Sequence, residues 1–599
     1  MVRSREAAAR SRDPSRRRVR DARAEAAPAE HGDEMNRIRR VGIWMAISLG
    51  VLAGCDSGPS GPPDAPGTTF NMSVDLAYFV QSIQTIYGSV PLIAGRDAYL
   101  RVFARANQAN TVAPAVRVRF YHGGTLVNTI DAPFGAASLP TVISQATTAD
   151  NWTIPIPGSL ISAGLAVEVE LDPDGLIEDA NPTDNRYPST AGPAPVDVRS
   201  VPPLQLRLVP IHQSVNDLTG EISTGNAEQY LAVLRKIFPI SEIEYDVRAP
   251  FSVDTPALAP EPGVWAAVVS QLNALRVAEG TGAYYYGVAR TTYTGGGVVG
   301  IATDVPSRAS MGWDRFPDAP YTLAHELGHN FGRFHAPCGG AGGADPNYPY
   351  TSGFIGSYGM DVTTGEIKSP SGFTDIMGYC DASWWISDYT FRNILNHRAS
   401  VGMASSGPAP KRESLIVWGR IVDGQPILEP AFRIATRPEL PSRAGPYRIE
   451  GASAEGSPVF EISFTAGRAG DGPEDVRVFA FAVPLDDTGW SELSAIRLVA
   501  NGRAVDLRAA LPVGVDMPGP GPSLDSRAFS RGPDRIEAHW NAGVFPLAVV
   551  RDPLSGDILG FARDGVAVVP SSLSEVELIL SNGVHSRNQR VTVIGSQSR

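Results

Sequence analysis

The nine histidines of this 599-residue chain are scattered except in one stretch, "YTLAHELGHNFGRFHAPC" (residues 321–338), where three of them and a glutamate stand at fixed intervals. On a helix, residues four apart share a face with Cβ atoms about 5–6 Å apart, so His325 and His329 can direct their imidazoles at one ion. Neutral imidazole is a good zinc ligand at about 2.0–2.1 Å. Glu326 lies beside that face, where it can take a proton from a water activated by the ion and deliver it to a leaving amine. Gly332 can adopt φ > 0 and end the helix. The turn then lets His335 swing back as a third ligand. Three histidines plus a water make an open, catalytic Zn2+ site rather than a closed structural one. A helix with surface histidines is the plainer reading, but it does not explain why Glu326, Gly332 and His335 all fall in register.

The spacing His325–Glu326–x–x–His329–x–x–Gly332–x–x–His335 resembles the metzincin clan of zinc endopeptidases. Downstream, "FTDIMGYC" places Met377 in a segment that resembles the clan's Met-turn, in which a methionine lies beneath the zinc ligands. The resemblance covers residues 203–402 and implies one catalytic Zn2+ and a polypeptide or glycoprotein substrate. It also implies that "GGVVGIA" (296–302) is an antiparallel edge strand that pairs with extended substrate, and that "SDYTFRNILNHR" (387–398) is a helix after the turn. Tyr379, two residues past Met377, is placed as in astacins and serralysins, where such a tyrosine stabilises the developing oxyanion; a buried tyrosine in the turn is the alternative. Ala336 stands where several metzincin families carry a characteristic residue, so the family within the clan stays open. The resemblance makes the segments bearing Cys338 and Cys380 converge, which implies a disulfide between them. That pairing leaves no upstream cysteine for a cysteine-switch form of latency. Trp384 and Trp385 are read either as a pocket wall or as core packing.

The elements around this motif follow from periodicity. Residues 68–200 alternate apolar and polar side chains, as in "AVRVRFYH", "LAVEVEL" and "AYLRVFARA", and predict a β-sandwich. The acidic stretch "DPDGLIEDANPTDN" (172–185) lacks EF-hand spacing and reads as a turn; calcium there is possible but unsupported. From residue 203 to 402 the pattern becomes mixed α/β. It contains helices over 226–238 and near 264–277, the latter with Trp265, Val268, Val269, Leu272 and Leu275 on one face. Asp318 is expected to cap the histidine helix, with Pro320 in its first turn. Residues 413–514 and 527–599 return to β character as two modules split by a Pro/Gly-rich stretch, 515–526. The fold class expected is multidomain: a metzincin-like α/β (α+β) catalytic domain flanked by β-sandwich modules.

Residues 1–34 are Arg- and Ala-rich with few large apolar side chains and read as a non-native or disordered extension. Residues 35–55 have the form of a signal peptide, with arginines before a short apolar run. Its end, "LAGC", resembles the bacterial lipobox and makes Cys55 the lipidation site, with 56–67 as a flexible linker. The chain is therefore expected in the bacterial cell envelope, lipid-anchored and periplasmic or surface-facing, or secreted. A formal net charge of −12 does not recommend nucleic acid as a partner. The reading is an exported zinc endopeptidase with Glu326 as general base; its rival is a surface adhesin or glycan-binding lipoprotein on an inactive metzincin scaffold. His122, His212, His397, His539 and His585 have no partners at ligand spacing.

Overall fold

The computed structural model describes residues 69–380, 383–404, 409–509 and 526–595. The extension, the signal segment, Cys55 and its linker lie outside these residues. No helix among the described residues is long and apolar enough to cross a membrane.

The N-terminal region is a two-sheet antiparallel sandwich. Strands Met72–Val80, Ala98–Ala106 and Trp152–Ile156 form one sheet, and Val116–His122, Thr125–Ala132 and Leu165–Leu171 build the other. Val116, Val118 and Phe120 meet Leu165, Val167, Val169 and Leu171 in one core, as their alternation predicts. Ala98–Ala106 departs from a half-buried alternation: Arg101 and Phe103, on the face opposite Leu100, Val102 and Ala104, are 2% and 0% exposed. Tyr78, Val80 and Met360 cover that second face. Arg101 is tolerated there because it donates to the carbonyls of Gln145 and Thr147. The acidic stretch is a turn, in which Asp172 accepts the amides of Leu176 and Ile177 and Asp179 accepts those of Met72 and Asn181.

The middle of the chain forms a mixed sheet with helices on both faces. Its order runs from the edge strand Gly300–Ala302 through Ala309–Trp313 and Tyr284–Ala289 to Leu204–Gln213, which pairs on its other side with Ile243–Val247 and Phe251–Val253. All these pairings are parallel except that of Gly300–Ala302, which is antiparallel to Ala309–Trp313. Helices α1 (Ala227–Ile237), α3 (Ala319–Asn330) and α4 (Asp388–Ala404) share one core with the sheet. Helix α2 (Pro262–Glu279) packs on the opposite face. Parallel strands covered on both faces are uniformly apolar, as Tyr284–Ala289 is.

Helix α2 corrects a one-faced reading. Besides Trp265, Val268, Val269, Leu272 and Leu275, the residues Ala274, Val277 and Ala278 are buried as well. The covering element is the following β region, whose strands Arg412–Val422, Phe432–Thr436 and Val476–Pro484 place Ile416, Trp418, Phe432, Ile434 and Ala480 in the same core as α2. A helix apolar on all sides must be covered on all sides. Glu439 clamps Arg276 with two hydrogen bonds of 2.9 and 2.6 Å across this junction. The last β region joins the central sheet directly, through the parallel pairing of Ser252 with Gly560. The architecture is multidomain and rich in β-sheet, and its β regions share cores with the α/β part.

Candidate metal centre

Helix α3 carries the histidine motif across the buried middle of the chain. Pro320 stands in its first turn as expected. Asp318 occupies the cap position, but its side chain makes no capping bond; its backbone carbonyl takes the amides of Tyr321 and Thr322 instead. At the other end Gly332 has φ 82° and the amide of Arg333 returns to the carbonyl of Gly328 at 3.0 Å. That left-handed turn reverses the chain and brings His335 back toward the helix face.

The three imidazoles meet through their Nε2 atoms. His329 Nε2 lies 3.1 Å from His335 Nε2. On the far side of each ring, Nδ1 faces a backbone carbonyl: Ile376 for His325 (2.7 Å), Arg333 for His329 (2.7 Å) and Gly342 for His335. A carbonyl only accepts, so each Nδ1 must carry the proton and each Nε2 presents a lone pair to the same point. Burial lowers the pKa of His329 to about 4, which favours the neutral ring a metal requires.

A fourth ligand atom comes from a residue that the spacing of the histidines does not reveal. Asp471 Oδ2 lies 3.1 Å from both His325 Nε2 and His329 Nε2, and Oδ1 lies 2.8 Å from His335 Nε2. Lone pairs and a carboxylate converging this closely repel one another unless a proton or a metal ion sits among them, and, against the lowering effect of burial, Asp471 raises the pKa of His325 accordingly. His325 Nε2 and Asp471 Oδ1 are moreover buried without hydrogen-bond partners. The donor set therefore fits a metal ion, and His325, His329, His335 and Asp471 form a group able to hold one.

Glu326 is 2% exposed and sits between α3 and the edge strand. A Cβ on Gly300 would stand 2.4 Å from its Oε1 and 2.8 Å from Thr322 Cγ2, so a larger residue there would have to displace one of them. Burial pushes the Glu326 carboxyl well above its ordinary range, and the charge of Asp471 adds to the effect.

Beneath the ligands, Met377 is 1% exposed and its sulfur packs where a Cβ on Gly328 would stand. A second residue absent from the sequence reading holds this turn. Asp375, 0% exposed, accepts the amides of Met377 and Ser387, each at 2.9 Å. It thereby fixes the Ile376 carbonyl that orients His325. The segments after His335 and around Met377 are joined by two backbone hydrogen bonds, Ala336 to Met377 and Tyr379 to Cys338, and by the disulfide Cys338–Cys380. Such a bond accords with an oxidising compartment. Replacing both cysteines with serine is expected to lower unfolding stability by about 4 kcal/mol, from the entropy of a loop whose ends are 42 residues apart. Denaturant titration measures this; a loss below about 1 kcal/mol would mean that the backbone hydrogen bonds alone hold the convergence.

Tyr379 is not a buried turn residue: it is 41% exposed, with its ring 4.8 Å from that of His335. It lines a cleft of about 950 Å3 together with His329, His335 and Asp471. Trp385 is a packing residue, buried and donating to the Ser82 carbonyl at 2.7 Å. The other histidines among the described residues stay apart from the centre. His212 bonds Ser252 and Asp217, His122 meets Leu160 and Ser162, His539 meets Glu537 and His585 meets the Leu493 carbonyl. His397 lies against Phe331 and borders the cleft without approaching the ligand group.

No protein-family model matches the chain, and no curated protein matches it. Among solved structures, the CARDB domain of a Pyrococcus furiosus protein, described in complex with di-metal ions, aligns over 22% of this chain and 93% of its own at 13% identity and a TM-score of 0.14. A Paenibacillus cycloisomaltooligosaccharide glucanotransferase aligns over 71% and 72% at 11% identity, TM-score 0.15. A β-glycosidase from Bacteroides vulgatus aligns over 86% and 80% at 10% identity, TM-score 0.15. At such scores these likenesses carry no argument, and the functional reading rests on the site itself.

Proposed function

We propose that this chain is an exported zinc endopeptidase with a metzincin-type catalytic domain over residues 203–402, anchored to the cell envelope through a lipid on Cys55. The observation that carries the reading is the convergence of three Nε2 lone pairs, each fixed by an Nδ1–H bond to a backbone carbonyl, beside a buried glutamate. His325, His329 and His335 would hold the zinc. When bound, zinc supplies the Lewis acidity that activates water at neutral pH and polarises a carbonyl. Glu326 takes the proton from the attacking water and passes it to the leaving amine nitrogen. Tyr379, exposed in the cleft beside His335, donates to the oxygen of the attacked carbonyl as charge develops there. The edge strand Gly300–Ala302 pairs with the backbone of an extended polypeptide or glycoprotein substrate.

A second reading is favoured by Asp471. Three histidines and a carboxylate make a four-ligand set, the closed arrangement of structural zinc sites. On that reading the chain is an adhesin or glycan-binding lipoprotein, and the metal braces the junction of α3 with the β region.

The test is stoichiometric zinc in the purified mature chain, followed by digestion of casein and a mucin-type glycoprotein with and without Glu326→Ala. Because Asp471 faces the centre, each digestion is run on the native chain and on Asp471→Ala. Cleavage that depends on Glu326 at equal zinc supports the peptidase. Zinc without cleavage in either background supports the structural site, and a folded chain without zinc ends both readings.

A further inference from the structure

Asp471 reaches the metal centre from a different part of the fold, at the tip of a hairpin in the 412–508 β region. The short strand Gly467–Arg468 pairs with Val476–Pro484, and the chain between them turns into the cleft. Three features show how closely the tip is fitted there. The carbonyl of Gly470 accepts the amide of Ala302 at 3.3 Å, an antiparallel bridge to the edge of that strand not paired with Ala309–Trp313. A Cβ on Gly470 would stand 3.0 Å from carbons of the His329 ring, and one on Gly467 would stand 2.5 Å from the Cβ of Asp304. Asp471 itself takes φ 58°, in the left-handed region that aspartate tolerates in turns. Its carboxylate is the only acidic group within the cluster of ligand atoms formed by the described residues.

We propose that residues 467–472, "GRAGDG", are an internal competitor of substrate, so that the full chain folds in a latent form. This rests on the peptidase reading above. Asp471 occupies the position at the metal that the attacking water and the scissile carbonyl require. Gly470 takes the hydrogen bond with which the edge strand would hold the substrate backbone. The glycines at 467 and 470 let the backbone lie against Asp304 and His329, where a Cβ would overlap Asp304 and press tightly on the His329 ring. The tip hangs from a β sheet packed on α2, so it is withdrawn by a shift of that β region, by a partner that binds the tip, or by cleavage within it. Removing the tip turns a four-ligand site into one with an open position.

The test uses the full mature chain, its Asp471→Ala variant and its Asp471→Asn variant, each loaded with Co2+ in place of zinc and checked for native circular dichroism. Acetohydroxamate, a small bidentate metal ligand, is titrated against the visible absorption of the cobalt. Both variants are expected to bind it at least about tenfold more tightly than the native chain, which corresponds to a tip that closes the site more than about nine-tenths of the time. Casein hydrolysis by the zinc forms is expected to rise by at least the same factor. The asparagine variant keeps the loop intact if alanine disturbs it. Equal hydroxamate affinity in all three chains would overturn the latency proposal while leaving the peptidase untouched. Tighter hydroxamate binding in the variants without casein or mucin cleavage would leave the tip as a ligand and overturn latency, because the peptidase reading on which it rests would have failed. Failure of the native chain to take up one equivalent of cobalt would overturn both.

Discussion

In an Asp471→Ala background, Glu326→Gln is expected to lower casein hydrolysis by about 10²–10⁴-fold while bound zinc stays at one equivalent. Glutamine matches glutamate in shape and keeps the contact with Gly300, so packing against the edge strand is retained. Glutamine is neutral, and burial disfavours charge at this position, so the substitution costs the fold little. What glutamine removes is the ability to accept a proton. The effect should fall on kcat, since proton transfer belongs to the transition state rather than to substrate binding. Metal content and KM are the controls. A hydrolysis rate within about threefold of the parent would take the general base away from Glu326 and return weight to the structural-site reading.

Asp375→Ala should have the largest effect on stability and metal binding among residues that never touch the metal. Its carboxylate is fully buried and holds the amides of Met377 and Ser387 at once. Losing it strands two buried N–H groups, at about 1–3 kcal/mol each, giving an expected loss of roughly 2–6 kcal/mol in denaturant unfolding. It also frees the Ile376 carbonyl that fixes the tautomer of His325. Outer partners of this kind typically change metal affinity by about 10–100-fold, and competition with a chelator would measure it. Asp375→Asn keeps one carbonyl acceptor and should fall between alanine and the native chain on both scales. Stability lost with metal affinity unchanged would show that the His325 orientation does not depend on this turn.

The spacing in 325–335 was legible without coordinates because it is local. Two turns of helix and one left-handed glycine determine where three imidazoles can point, and Gly332 adopts that φ. The alternation in Val116–His122 and Leu165–Leu171 was legible for the same reason, since each strand is covered on one face and its period shows it. The pairing of Cys338 with Cys380 was expected because they are the two cysteines left beside Cys55 in a chain read as exported, and because the resemblance required their segments to converge.

The readings that changed concern surfaces covered from a distance. Arg101 and Phe103 lie opposite Leu100, Val102 and Ala104 on a strand read as half-buried, and are buried because the Met360 segment, far along the chain, lies over them. Helix α2 looks one-sided when only five positions are weighed, although Ala274, Val277 and Ala278 already filled its other faces with small and apolar residues. Asp375 is one acidic residue among many until its two amide partners are seen.

Asp471 is the clearest case. Nothing in "GRAGDG" has ligand spacing, and a left-handed aspartate between glycines reads as an ordinary turn. Its approach to the histidines depends on a β sheet packing against α2, and that packing is a sum over many apolar contacts dispersed through the chain. Local periodicity could therefore place the three imidazoles and Glu326, because one helix and one turn hold them. Which group stands opposite them was decided only by the tertiary structure, because burial of apolar surface selects neighbours without regard to their distance in sequence.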